Sequence, residues 1–216
     1  MNTTQFTRLA LVGTAGAILV GCATLPSSSE LDELTAKITQ ASFSDRGIAK
    51  VDRIRQDLAQ SACSTGAPPD EATAKKMAAE ALASVKPPSD GKYLGDWRAG
   101  ETLAQNGRGM TWTDASAAPT ANGGNCYNCH QIGPAEVSFG TIGPSLLGYG
   151  KTRGISALDS PAFKPIAEYT WAKIYNAHSF TACSAMPRFG HKGLLNEQQM
   201  KNLMALLLDP ASPVNK

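Results

Sequence analysis

Apolar residues recur at helical intervals along most of this chain, and no segment alternates long enough to read as a strand. Leu31, Leu34 and Ile38 form one stripe, and Val51, Ile54 and Leu58 a second. A third helix is expected from near Asp70, with Met77, Ala78, Ala81, Leu82 and Val85 on one face and Pro87-Pro88 as its stop. A fourth, over 95–106, carries Trp97 and Leu103 and ends at Gly107-Arg108-Gly109. A fifth spans 165–178, with Tyr169, Trp171, Ile174 and Tyr175 as its large apolar members. The last begins at Asn196, where Gln199 three residues on completes a capping box. Met200, Leu203, Met204 and Leu207 give it a buried face, and Asp209-Pro210 closes it. Between these elements, 111–125 is a Thr/Ala/Asn/Gly-rich loop and 132–154 a Gly/Pro-rich irregular stretch. The pattern predicts an all-α protein.

The start of the chain reads differently. Arg8 is followed by an apolar run from Leu9 to Val20, which has the proportions of a secretion signal and is short for a membrane span. The run ends in Leu19-Val20-Gly21-Cys22, a lipobox-like sequence in which Cys22 becomes the lipidated first residue. Cleavage after Ala23 is the competing reading. We therefore divide the chain into a leader (1–21), a serine-rich tether (22–29), a helical extension (30–92), a main domain (93–210) and a short tail (211–216). About 60 residues make a marginal core alone, so the extension is expected to pack on the main domain.

Lys and Arg number 20 against 18 Asp and Glu, a formal charge of +2. That balance argues against nucleic-acid binding, which normally shows a strong basic excess. A charged partner must be steered by a local patch.

The chemistry is concentrated in Cys126-Tyr127-Asn128-Cys129-His130. Cys-x-x-Cys-His is the attachment pattern of c-type haem: both thiols add to the porphyrin vinyl groups and the histidine becomes an iron ligand. A thioredoxin-like dithiol would follow a βαβ pattern, and no strand precedes this run. A zinc site would need two further ligands from among His178, Cys183 and His191, without a second close pair.

Met186 is the candidate for the second iron ligand. It precedes Pro187, which pushes it out of the α region, so an extended loop presents its thioether. Met77, Met200 and Met204 lie on helical stripes, and Met110 lies ahead of the attachment run. Methionine–histidine ligation raises the reduction potential and closes the iron to substrates, which suits an electron carrier. The other ring nitrogen of His130 needs an acceptor, and the Pro144 carbonyl in Gly143-Pro144-Ser145-Leu146 is the candidate. Arg188 is placed to pair with a haem propionate. His178, at a helix end, and His191, in a Gly-flanked loop, are read as side chains away from the iron.

Setting Cys22, Cys126 and Cys129 aside leaves Cys63 and Cys183. An even remainder in an exported chain favours a disulfide, which would tie the extension to the Met186 loop. The alternative keeps Cys183 as a reactive thiol near the haem, or as an iron ligand.

Four segments, taken in order, resemble one family: Gly124-Asn125-Cys126-Tyr127-Asn128-Cys129-His130-Gln131-Ile132, Phe139 to Leu146, Met186-Pro187-Arg188-Phe189-Gly190, and Leu206 to Pro210 with Ser212 to Asn215. They resemble the SoxX family, monohaem cytochrome subunits of the SoxAX complex of bacterial sulfur oxidation. The resemblance covers about 95–216. It implies a cytochrome c-like haem domain with an N-terminal helical extension, and one haem c with His130 and Met186 as axial pair. It also implies a SoxA-like dihaem or monohaem partner, the SoxYZ carrier acted on by the complex, and a soluble cytochrome c acceptor in the periplasm. The complex is an L-cysteine S-thiosulfotransferase, with its sulfur chemistry on SoxA. A stand-alone lipoprotein cytochrome of another respiratory chain is the competing function.

Overall fold

A computed structural model describes residues 25–216. The leader and the lipidation expected at Cys22 lie outside the described residues. Six α-helices and several single 3₁₀ turns are present, with no strand among the described residues beyond an isolated Arg46–Ala49 bridge. The described chain separates into two compact units, 25–43 and Ser44–Lys216.

The first unit is α1, Ser28–Ser42. Ser27 caps it and Glu30 returns the bond to the Ser27 backbone, so serines expected to form a tether begin a helix instead. Leu31, Leu34 and Ile38 are exposed, and α1 has no buried residue.

In the second unit the stripe Val51–Ile54–Leu58 is not one helix. A 3₁₀ turn covers Val51–Ile54, Arg55 is extended, and α2, Leu58–Cys63, restarts from a capping box of Asp57 and Gln60. A side chain that caps the backbone competes with helix continuing through its own position. Helix α3, Glu71–Ala83, is capped by Asp70 and buries Met77 and Ala81. It ends short of Pro87, and the buried Asn176 binds the Ser84 hydroxyl at its end.

Helices α4, Trp97–Gln105, and α6, Glu197–Leu208, make the most extensive interhelical contact. Gly100 permits it: a β-carbon there would collide with the Asn202 carbonyl and press on Leu206 Cβ. In an unobstructed helix Gly→Ala stabilises by up to about 1 kcal/mol. Here Gly100→Ala is expected to lower stability by about 1–3 kcal/mol through overpacking, read as a lower denaturant midpoint. Helix α5, Phe163–Tyr175, packs on α6 and buries Trp171, whose indole N–H donates to the Lys86 carbonyl at 2.7 Å. It stops earlier than its periodicity suggested, and Ala177–Ser179 form a separate 3₁₀ turn.

Two polar ties close the unit. Lys201 is nearly buried on α6, with its ammonium 2.6 Å from Asp90 and 2.8 Å from Glu197. The tail is built in as well: Asn215 accepts from the Gly150 N–H and donates to the Leu207 and Asp209 carbonyls. Val214 and Ser212 are buried with it.

Candidate functional site

Helix α4 delivers the attachment run. After Gln105 the chain loops out and returns, so that the Gly124 N–H reaches the Leu103 carbonyl and the Asn125 N–H the Asn106 carbonyl. Gln199, the capping glutamine of α6, donates to the Pro119 and Asn122 carbonyls and fixes the same loop from the other side. Asn125 takes the left-handed conformation, φ 51°, and starts a 3₁₀ turn over Cys126–Asn128. The Cys126 carbonyl accepts from both Cys129 and His130 N–H, at 3.1 and 2.9 Å. The turn brings Cys126 and His130 to one apolar pocket, while Cys129 lies at its end, outside that lining. Cys126 and Cys129 are free thiols, both half-buried.

His130 is oriented from behind. Its Nδ1 lies 2.7 Å from the Pro144 carbonyl. A carbonyl only accepts, so Nδ1 carries the proton and Nε2 keeps its lone pair. The 140–146 strap is pinned alongside, with Gly143 N–H on the Cys129 carbonyl and Leu146 N–H on that of Gln131. Any β-carbon at Gly143 would run into the His130 ring, so this position needs glycine for close approach.

Cys126, His130 and Met186 line one apolar pocket. Leu203, Leu206 and Leu207 of α6 form one wall, and Ile132, Leu146, Ile174 and Phe189 close the rest. His130 is the only polar residue among the lining. Burial, then the neighbouring Cys129, push the Cys126 thiol up to about 12. A neutral sulfur suits this apolar environment. No group of three or more metal-binding side chains occurs among the described residues. The pocket therefore fits a covalently held porphyrin: apolar walls, a free thiol pair on a turn, an imidazole with a free Nε2, and a thioether in the lining. The other methionines are placed elsewhere. Met77, Met200 and Met204 are core, and Met110 sits in a loop with φ 66°.

Cys63 and Cys183 form a disulfide, which joins the end of α2 to the Met186 loop and leaves no thiol at Cys183. Its sequence separation is 120 residues, and closing a loop that long is worth about 4–5 kcal/mol in the chain-entropy account. Arg188, expected to pair with a haem propionate, has a protein carboxylate as partner. Its guanidinium is almost buried and bound to Asp57 at 2.8 Å, and it does not line the apolar pocket.

Asp57 is the residue that sequence reasoning missed. Its carboxylate accepts from Arg188, Lys192 and the Gln60 N–H. Burial alone would raise its pKa, but hydrogen bonds from Lys192, Gln60 and Arg188 outweigh it and hold the carboxyl well below its ordinary value. The only local signal was its capping pattern, Asp-x-x-Gln; nothing in the sequence marks a cation 131 positions away.

His178 and His191 stay off the apolar pocket. Both line a second cavity with Asp57, Met77, Asn176 and Arg188. His178 is buried, with its Nδ1 unpartnered, in the 3₁₀ turn that follows α5. Burial first, then the charge of Arg188, lower the pKa of each.

Residues 99–209 match the family model described as Cytochrome c. Over 203 residues the chain is 34% identical to an "Uncharacterized lipoprotein" of Aquifex aeolicus (strain VF5), an alignment covering 88% of this chain and 91% of that protein.

Proposed function

This chain belongs to the cytochrome c family, carries covalently bound haem c and transfers electrons, and from that premise we propose that it is the redox subunit of a SoxAX-type thiosulfate-oxidising complex. Haem c supplies one-electron exchange at its iron. Cys126 and Cys129 hold it by thioethers, His130 offers Nε2 under the aim of the Pro144 carbonyl, and Met186 offers its thioether. Leu203, Leu206 and Leu207 keep water from the ring. The observation that carries this assignment is the meeting of Cys126, His130 and Met186 on one apolar pocket.

The SoxX-like motifs support the complex. In that reading electrons come from the haem of a SoxA-like partner and leave to a soluble cytochrome c, while sulfur is handled by the partner and the SoxYZ carrier. The cysteine inventory is consistent: among the described residues the only free thiols are the attachment pair, so none beyond it is left there as a sulfur acceptor. We place the protein in the periplasm, tethered through Cys22. No described helix is long and apolar enough to cross a membrane. The lipoprotein name of the Aquifex relative favours a second reading, a stand-alone lipoprotein cytochrome.

Production in an exporting host with haem-maturation machinery separates the two. Reduction of the haem by thiosulfate is expected only when a SoxA-type partner and SoxYZ are both present, with a stable heterodimer on gel filtration. No heterodimer and no partner-dependent reduction would leave the stand-alone reading.

A further inference from the structure

We infer that Asp57 is a positioning residue for the haem site: together with the Cys63–Cys183 bridge it makes α2 a strut that grips the Met186 segment on both sides. The inference rests on reading Met186 as an iron ligand.

The segment has little structure of its own. From Cys183 to Arg188 two backbone N–H groups find acceptors, Ser184 on the Thr181 carbonyl and Met186 on the Ser184 hydroxyl. Pro187 has no N–H to offer. The Arg188 carbonyl accepts from the Lys192 N–H, and the side-chain ties on the segment come from α2. Three residues before Met186, Cys183 is bonded to Cys63 at the C-terminal end of α2. Two residues after it, Arg188 is held by Asp57 at the N-cap of the same helix, and Lys192 joins the same carboxylate at 2.8 Å. Asp57 is itself immobilised by the Gln60 N–H. The Arg188 side chain is 10% exposed and that of Asp57 34%, so this pair is partly shielded from the screening that makes surface ion pairs worth little.

A thioether is a neutral, weak ligand. Its hold on iron depends on how little freedom the chain has to take it elsewhere, which is preorganisation by a supporting shell. Downstream the chain is fixed by the buried Phe189, whose carbonyl accepts from Leu194 and Leu195. The two anchors on α2 add restraint on either side of Met186.

Electrostatics and positioning predict opposite signs, which makes the test sharp. Removing a carboxylate's negative charge near a haem raises its reduction potential, because the oxidised form loses a stabilising charge. Loosening a methionine ligand lowers the potential. Asp57→Asn deletes the charge while retaining a good N-cap, so α2 stays formed.

The holoproteins to compare are wild type, Asp57→Asn, Cys63→Ser/Cys183→Ser and Met186→Ala, by reduction potential, by the near-infrared band of methionine-ligated ferric haem, and by imidazole titration. In Asp57→Asn we expect a lower potential and imidazole binding tightened roughly tenfold, the worth of a lost charge-assisted hydrogen bond. The paired cysteine variant should shift the same way; if it does not fold, Asp57→Asn alone decides. Wild-type imidazole affinity in Asp57→Asn, or a raised potential, overturns the strut while Met186→Ala still opens the iron. Should Met186→Ala itself leave band and affinity unchanged, the ligand assignment fails instead.

Discussion

With serine at both Cys126 and Cys129, acidic organic solvent is expected to strip all pigment from the chain, whereas the wild-type polypeptide keeps its colour through the same treatment. A hydroxyl does not form the thioether, and only the two sulfurs bind the porphyrin covalently. The rest of the site survives the change: His130 keeps its Pro144 acceptor, and α6 keeps its leucine wall. A folded variant can thus hold a porphyrin by contact alone, so the measurement is made on denatured protein. Chains that lose the group expose an apolar hollow against Leu203, Leu206 and Leu207, and forfeit the stabilisation that any tightly held ligand gives the native state. The expected cost is on the order of several kcal/mol, seen as a lower melting temperature. Colour that resists extraction in the double variant would defeat the attachment assignment.

Met186→Ala is expected to abolish the methionine–iron band, lower the reduction potential by more than about 100 mV within the ~0.8 V range that axial ligands span, and admit carbon monoxide to the ferrous protein. Of the five methionines after the leader, Met186 lines the pocket, while Met77, Met200 and Met204 are buried in the core. None of those three can replace it without dismantling α3 or α6. Histidine rescue is also unfavourable, since neither His178 nor His191 lines the pocket. An unchanged potential and no new ligand binding would point to a different sixth ligand.

What could be read in advance was local. Cys126 to His130 declares its chemistry within five residues, because one turn carries both thiols and the imidazole. Met186 stood out by the proline after it, and the α6 capping box by two residues three apart. What could not be read was non-local or ambiguous in type. Arg188 offered a cation near the site, and its partner Asp57 lies 131 positions away in sequence, where no local pattern points to it. Ser27 to Ser29 looked like a tether by composition, although Ser27 and Glu30 already spelled a helix start. The stripe through Val51, Ile54 and Leu58 had helical spacing, but periodicity says nothing about where a capping aspartate interrupts it. Likewise Asn215 belonged to a tail by position, and its four backbone-directed bonds depend on a fold that brings residues 150 and 207 beside it.

The bridge from Cys63 to Cys183 also sets an order of events during biogenesis. As the chain emerges from its N-terminus, Cys63 is available first, Cys126 and Cys129 follow, and the true mate arrives last. Four thiols permit three pairings, and in an oxidising compartment the premature partners for Cys63 are the very sulfurs the porphyrin requires. Orderly maturation therefore has to keep the central pair reduced until cofactor ligation, and to let the terminal mate arrive, or to unscramble wrong cross-links afterwards. A newly made molecule that errs at this step is colourless and covalently trapped, so yield of pigmented product becomes a report on thiol traffic as much as on folding.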